Sequence, residues 1–399
     1  MSECIGVVNA GSSSIKFGLF DMGIEERPLF SGHVEQIGVA PKLKVKSPTG
    51  ETLVENAWNA KDLDHRSATR VILETVIGLN GGKPIAAVGH RVVHGGTKFS
   101  EPELVTNHVL AQLRELCPLA PLHQPHNLVA IEAIATAAPH IPQVACFDTA
   151  FHRAQPDLAQ TFAIPDELTE AGIRRYGFHG LSYEYVSARL RIVAPEEAGK
   201  RIIVAHLGNG ASLCAMRGGR SVASTMGFTA VEGLMMGTRC GAIDPGVLLY
   251  LMDERGMNTR GIEDLIYKKS GLLGVSGISA DMRVLRESDQ PKAREAIDLF
   301  IYRIVREIGS LSAALGGLDG LVFTGGIGQN DRLTRQEVVA GCDWLGAKLD
   351  EAANDDHEER IEGLSSRIPI WVLPTDEERV IARHTASVVE LGEKALAIN

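Results

Sequence analysis

Two short stretches, half a chain apart, follow the same plan. In the first, Ile5, Val7 and Val8 form an apolar run, Asn9 to Ser14 supply turn residues, and Ile15, Phe17 and Leu19 alternate. In the second, Ile202 to Ala205 form the run, His206-Leu207-Gly208-Asn209-Gly210 the turn, and Ala211, Leu213 and Ala215 the alternation. A β-turn-β unit repeated in this way reads as an internal duplication. It requires each half of the chain to build its own sheet. A third glycine cluster, Gly325-Gly326-Ile327-Gly328-Gln329-Asn330, follows the buried-strand pattern Leu321 to Thr324 and reads as a turn. Before it runs an amphipathic helix with the stripe Ile297, Phe300, Ile301, Ile304, Val305, Ile308 and Leu311, stopped by Gly316-Gly317.

Further helices are expected over 65–78, 103–116, 126–138, 182–192, 331–341 and 376–391, with a last strand in 366–373. Strands alternating with helices make the class α/β. The 42 glycines among 399 residues, about 10.5% against an average near 7%, show no collagen period and so belong to turns and close backbone approaches.

Charge narrows the partners. Forty Lys+Arg against 50 Asp+Glu give a net charge of −10, which disfavours nucleic acid or an anionic membrane but leaves room for an anion in a local basic pocket. The six cysteines form no CxxC pair, so reduced thiols and a cytoplasmic location are expected rather than a disulfide framework. The N-terminus lacks a basic n-region, and no run approaches the roughly 18 apolar residues of a membrane span.

A glycine turn after a strand aims several backbone N–H groups at one point and makes an anion cradle. The standard signatures are missing: there is no GxxxxGK[ST], and GNGASL and GIGQND lack the third glycine of a dinucleotide fingerprint. HExxH and GxSxG are absent too. What remains is a set of separate small-residue turns able to converge on one nucleotide.

A second constellation lies in GHRVVHGG (89–96), APLHQPHN (120–127), FDTAFH (147–152), YGFHG (176–180) and GTRCGAIDPG (237–246). Arg91, His94, His123, His179 and Arg239 offer cations or donors there, and Asp148 a carboxylate. Small neighbours let a reacting anion approach such groups closely. Each histidine can equally be a structural hydrogen-bonder. His90 and His94 sit in a strand-then-turn context, which argues against a metal pair. In PTDEER (374–379), Thr375 and Glu378 fit a capping box, and a neighbouring carboxylate could anchor magnesium if phosphates lie nearby.

In this order these strings, with NAGSSSIKF (9–17), HLGNGAS (206–212), EGLMMGTR (232–239) and TGGIGQN (324–330), resemble the acetate kinase family, over residues 5 to about 383. The resemblance implies two ribonuclease-H-like, actin-like ATPase domains around a central cleft. The first is 1–148 plus 380–399, with the terminal helix packed back on it, and carries acyl-substrate and phosphate contacts. The second is 149–379, with the nucleotide site and a dimer interface. It also implies a cytoplasmic homodimer that transfers the γ-phosphoryl group of ATP to acetate, with Mg2+ (or Mn2+) as cofactor, by direct in-line transfer.

Carried over by position, Asp148, His179 and Arg239 are catalytic, and Arg91, Val93, Leu122 and Phe178 bind the acyl substrate. Asp148 is expected to orient Arg91 or the metal, because a carboxylate acceptor arrives already ionised. Lys16, His206, Leu207, Gly208, Asn209, Gly210, Asp281, Met282, Arg283, Gly326, Ile327, Gly328, Gln329 and Asn330 match the ATP contacts, and Asn9 and Glu377 the magnesium site.

The chain departs from the usual pattern at Ala230 (proline is usual, lining the acyl pocket), Gln329, Asp376, Ala242, Leu181 and Tyr183 (histidine is usual). A propionate or broad short-chain acyl kinase is therefore the alternative. A sugar kinase is opposed by the apolar wall. A non-catalytic ATP switch is opposed by the anchor and the two cations.

Overall fold

The computed structural model describes residues 3–22 and 28–389. The chain divides into two compact units, Met1–Ala150 with Asp376–Asn399, and Phe151–Thr375. Two sheets are present among the described residues, in a mixed α/β arrangement. The first unit holds β1 (Cys4–Ala10), β2 (Ile15–Asp21), β3 (Pro28–Glu35), β4 (Lys42–Lys46), β5 (Thr52–Ala57), β6 (Ile85–Val92), β7 (Glu103–Leu104) and β8 (Gln143–Phe147). Their order across the sheet is β5-β4-β3-β2-β1-β6-β8-β7. The second unit holds β9 (Arg201–Leu207), β10 (Ala211–Arg217), β11 (Arg220–Ser224), β12 (Gly320–Thr324) and β13 (Ile370–Val372), ordered β11-β10-β9-β12-β13.

The repeat read from the sequence is a repeat of topology. β1 pairs antiparallel with β2 and parallel with β6, which pairs parallel with β8. β9 pairs antiparallel with β10 and parallel with β12, which pairs parallel with β13. Strands β3-β2-β1-β6-β8 thus match β11-β10-β9-β12-β13 in order and sense. The parallel strands are apolar and buried along their length, as β1, β8 and β12 show, because both faces are covered.

The helices form where periodicity and caps agree. His65–Leu79 opens with an Asp64/Ser67 capping box. Pro291–Leu315 buries Ile297, Phe300, Ile304, Ile308 and Leu311 and ends where Gly316 takes φ 70°. Four local expectations need correction. The stretch expected as one helix over 103–116 is β7 followed by Asn107–Glu115, because the Thr106 side chain accepts from Val109 N–H and starts the helix there. Gly325–Asn330 is a short helix rather than an open turn. The strand expected within 366–373 is confined to Ile370–Val372. The last helix, Glu377–Val388, is capped by Asp376, whose Oδ1 accepts from Arg379 N–H at 2.9 Å, so Thr375 and Glu378 form no capping box. The expected terminal packing near 390–399 lies outside the described residues.

Helix Glu377–Val388 covers the first sheet and buries Val380, Ile381 and Thr385. Its approach depends on Gly89 in β6. A Cβ there would stand 2.1 Å from Thr385 Oγ1 and 2.6 Å from Ile381 Cγ2. Gly89→Ala is therefore expected to lower unfolding stability by about 1–3 kcal/mol through overpacking, read from urea denaturation. Because this helix carries Glu377, activity falls with it. A neutral result would show that the helix can shift without cost.

Candidate functional site

In the first unit the candidate polar residues stand at the carboxyl ends of adjacent parallel strands, where α/β sheets bind ligands. Asn9 lies near the end of β1, Arg91 near the end of β6, and Asp148 directly after β8. Asp148 takes Arg91 in a bidentate grip, accepting from Nε at 2.9 Å and from Nη2 at 2.5 Å. Arg91 Nη1 donates to Asn9 Oδ1 at 3.3 Å, and Glu377 Oε2 lies 3.8 Å from Arg91 Nε. Asn9 Nδ2 donates to Glu377 Oε2 and Glu378 Oε1, both at 3.3 Å. The strand ends are braced beneath: Asn127 Nδ2 donates to the Ala10 carbonyl, and Asn127 Oδ1 accepts from Val93 N–H.

Burial acts against the charge on Arg91, and the carboxylates of Asp148 and Glu377 overcome it, so Arg91 stays a cation above its ordinary range. Burial pushes the Glu378 carboxyl up, opposed by Lys16 and reinforced by Glu377. His94 is no cation, since burial lowers it to about 4 and its Nδ1 accepts from Gly96 N–H. His90 is likewise held down to about 4 by burial, against Gln143 Oε1 at 2.7 Å. His123 stands at the start of helix Gln124–Ala137.

In the second unit, His179 takes the left-handed conformation, φ 58°, just before helix Gly180–Val193. Gly177 (φ 75°) passes so close to His152 that a Cβ would meet its ring at 2.5 Å, while His152 Nε2 lies 2.9 Å from the Phe178 carbonyl. The His179 ring stacks on His206 at 4.3 Å, and its Nδ1 lies 2.8 Å from Ser212 Oγ. A Cβ built on Gly210 would find Arg239 Nη2 at 3.2 Å and His179 Nε2 at 3.3 Å. Both groups therefore converge above a residue without a side chain. Arg239 is held by Nη1 donating to the Ala230 carbonyl at 2.7 Å.

A cavity of about 760 Å³ in the same unit is lined by Gly208, Asn209, Asp281, Gly326, Ile327 and Asn330, and also by Met282 and Arg283. Gly325 turns the chain here with φ 78°, where a Cβ would lie 2.7 Å from the Leu207 carbonyl. Leu207 and Gly328 are buried in the framework, and Gln329 offers its carbonyl to Arg335. Lys16 belongs to the first unit and lines a separate cavity with His33, Lys44 and Glu378. Of the residues expected to line the acyl pocket, Val93 and Leu122 lie in the first unit and Phe178 in the second.

Sequence reasoning missed Glu378 as a site residue, and missed Arg286, which lines the cavity with its guanidinium held by Asp331 and Glu337. The adjacency of Glu378 to Glu377 was the available signal for the first; none marked Arg286. Among the described residues no three His, Cys, Asp or Glu side chains converge as a closed metal cage. The oxygen donors of Asn9 and Glu377 nevertheless suit magnesium, which keeps water and phosphate oxygens in most of its coordination positions.

The sequence profile described as the acetokinase family matches residues 4–383. The acetate kinase of Rhodopseudomonas palustris is 52% identical over 398 residues, 98% of this chain and 100% of that protein. That of Methylocella silvestris is 48% identical over 400 residues, covering 98% and 99%. Among solved structures, Porphyromonas gingivalis acetate kinase superposes with a TM-score of 0.86 at 40% identity, covering 97% of this chain and 100% of that one. A propionate kinase from Francisella tularensis gives 0.90 at 35% identity, covering 96% and 99%.

The half-buried Glu378 carboxyl supplies a test by pH. With its folded-state pKa raised, it weakens the fold only above the ordinary carboxyl range, where the unfolded chain has lost the proton. Glu378→Gln is therefore expected to raise the melting temperature at pH 7–8, with the gain fading as pH falls toward about 4. A gain independent of pH would refute this account.

Proposed function

The chain belongs to the acetokinase family, and we propose from that footing how its residues divide the work of moving the γ-phosphoryl group of ATP to acetate, giving acetyl phosphate and ADP. The observation that carries the reading is the half-buried guanidinium of Arg91, oriented by Asp148 and Asn9 at the strand ends. A guanidinium fork is suited to a carboxylate. Arg91 anchors acetate, with Val93 and Leu122 of the same unit beside its methyl group. Acetate is ionised at neutral pH, so no base is needed, and Asp148 serves by holding Arg91 in place.

One carboxylate oxygen attacks the γ-phosphorus in line while the bond to the ADP oxygen breaks. The transition state spreads negative charge over the equatorial oxygens. His179 and Arg239, convergent above Gly210, supply donors to that charge. The glycine-lined cavity with Asp281, Arg283 and Asn330 holds the nucleotide, and His206 of the same unit contacts its phosphates. Asn9 and Glu377 would hold magnesium, which when bound neutralises charge on the phosphates.

The proposed division of labour places the nucleotide with the second unit and the acyl anchor with the first. No helix among the described residues is long and apolar enough to cross a membrane, and we place the enzyme in the cytoplasm on its six cysteines, which form no CxxC pair. A homodimer is supported by helix Pro245–Asp253, which buries none of its residues and leaves Leu249 62% and Tyr250 52% exposed. Leu249→Glu is expected to shift the dimer to monomer in sedimentation analysis; an unchanged dimer would place the interface elsewhere.

The deciding experiment traps acyl phosphate with hydroxylamine, using formate, acetate, propionate and butyrate. Acetate is expected to give the highest kcat/KM, and no product from any acid would end the kinase reading. Propionate is the second reading, favoured by Ala230 where proline is usual. One methylene changes an apolar pocket by only about 1–3 kcal/mol, so propionate should be turned over less efficiently. In the same assay Arg91→Ala should raise KM for acetate by about tenfold or more. Arg239→Ala should lower kcat by about 10²–10³-fold. The opposite pattern would reverse these roles.

A further inference from the structure

We propose that Tyr183 and Ser212 form a one-way hydrogen-bond relay that fixes His179 as the neutral tautomer with its proton on Nε2. The inference deepens the role given to His179 above and rests on it. The groups come from two elements of one unit: helix Gly180–Val193 supplies Tyr183, and β10 supplies Ser212. Tyr183 Oη lies 2.5 Å from Ser212 Oγ, which lies 2.8 Å from His179 Nδ1. Tyr183 and Ser212 are both fully buried.

Counting protons gives the direction. The tyrosine hydroxyl has one proton, and burial pushes its pKa well above the ordinary value, so it keeps that proton. Its hydrogen bond runs to Ser212 Oγ, and a buried hydroxyl that does not donate loses about 1–3 kcal/mol. Tyr183 therefore donates to Ser212. Ser212 Oγ has a second lone pair, but if it also accepted from His179 its own buried proton would have no acceptor; Ser212 therefore turns that proton to His179 Nδ1. A nitrogen that accepts carries no proton, which leaves the ring proton on Nε2. That is the nitrogen which, with Arg239 Nη2, faces Gly210.

The neighbouring ring is held in a parallel way. Ser182, the residue before Tyr183, places Oγ 2.8 Å from Nδ1 of His206, the ring stacked on His179. Successive residues of one helix thus attend to two stacked imidazoles. The other titratable groups packed around the relay are Cys214 and His152, both buried. Burial raises the first to about 12 and lowers the second to about 4, so both are neutral at pH 7.

The test reads the tautomer directly. In the full-length protein labelled with [15N]histidine, the His179 signals are assigned by their loss in His179→Gln. The wild type is expected to show an unprotonated Nδ1 and a protonated Nε2 near neutral pH. Tyr183→Phe removes the donor that polarises the Ser212 hydroxyl and so weakens its hold on Nδ1, and His179 should gain Nδ1–H or imidazolium character. Its kcat should fall roughly three- to tenfold, the worth of one net hydrogen bond, with KM for acetate unchanged and the pH profile of kcat displaced upward. Tyr183→His should restore kcat in part. Ser212→Ala, which takes the donor from Nδ1, should reproduce the tautomer change and serves if Tyr183→Phe does not fold.

A wild-type His179 carrying its proton on Nδ1, or folded variants with unaltered tautomer and kcat, would overturn the relay. Failure of the wild type to form acetyl phosphate would instead overturn the kinase reading, since the tautomer is measured without turnover.

Discussion

A guanidinium cannot be buried alone. Arg91 is placed among strand ends where its charge would be costly without Asp148, and breaking a buried pair by removing one partner costs about 3–5 kcal/mol. The first unit is arranged to keep that pair intact. β6 and β8 run parallel and adjacent, with Asp148 N–H donating to the Val92 carbonyl. Asn9 arrives from β1, and the last helix brings Glu377 to the same place. One arginine thereby faces several acceptors and remains a fixed cation, with the longer Asn9 bond on its Nη1 side. A ligand carboxylate would meet a group already oriented, which lowers the ordering cost of binding.

The duplicated topology gives each unit the same frame and different chemistry at its strand ends. Where the first unit ends β1 with Asn9, the second ends β9 with His206. Where β6 presents Arg91, the corresponding β12 leads into Gly325 and a short helix with no charged side chain. The first frame places a fixed cation at its strand ends. The second offers glycine backbone, a cavity and two convergent donors.

The α/β class, the paired β-turn-β units and the long helix over 291–315 were legible because apolar periodicity and glycine stops report burial directly. The motifs containing Arg91, Asp148, His179 and Arg239 were legible as strings. Their pairings were not, because Asp148 and Arg91 are 57 residues apart and meet only through strand order. Local rules failed where two caps competed. Thr375 and Asp376 both qualify, and Asp376 wins because its carboxylate reaches Arg379 N–H. Glycine content at 325–330 suggested a loop, yet Gly325 alone does the turning and the rest coils into a helix. Ser212 and Tyr183 carried no catalytic signature, since a relay is visible only once a helix and a strand are side by side.

The first unit is assembled from both ends of the chain. A ribosome making this protein finishes β1, β6 and β8 and then spends roughly ten to fifty seconds on the 225 residues of 151–375 before the covering helix emerges. Throughout that interval the face of β6 around Gly89 is bare and the carboxylates of Glu377 and Glu378 do not yet exist. The ring of groups around Arg91 is therefore complete only after the whole of 151–375 has been made. The second unit, continuous in sequence, has all its residues before the first has its final helix.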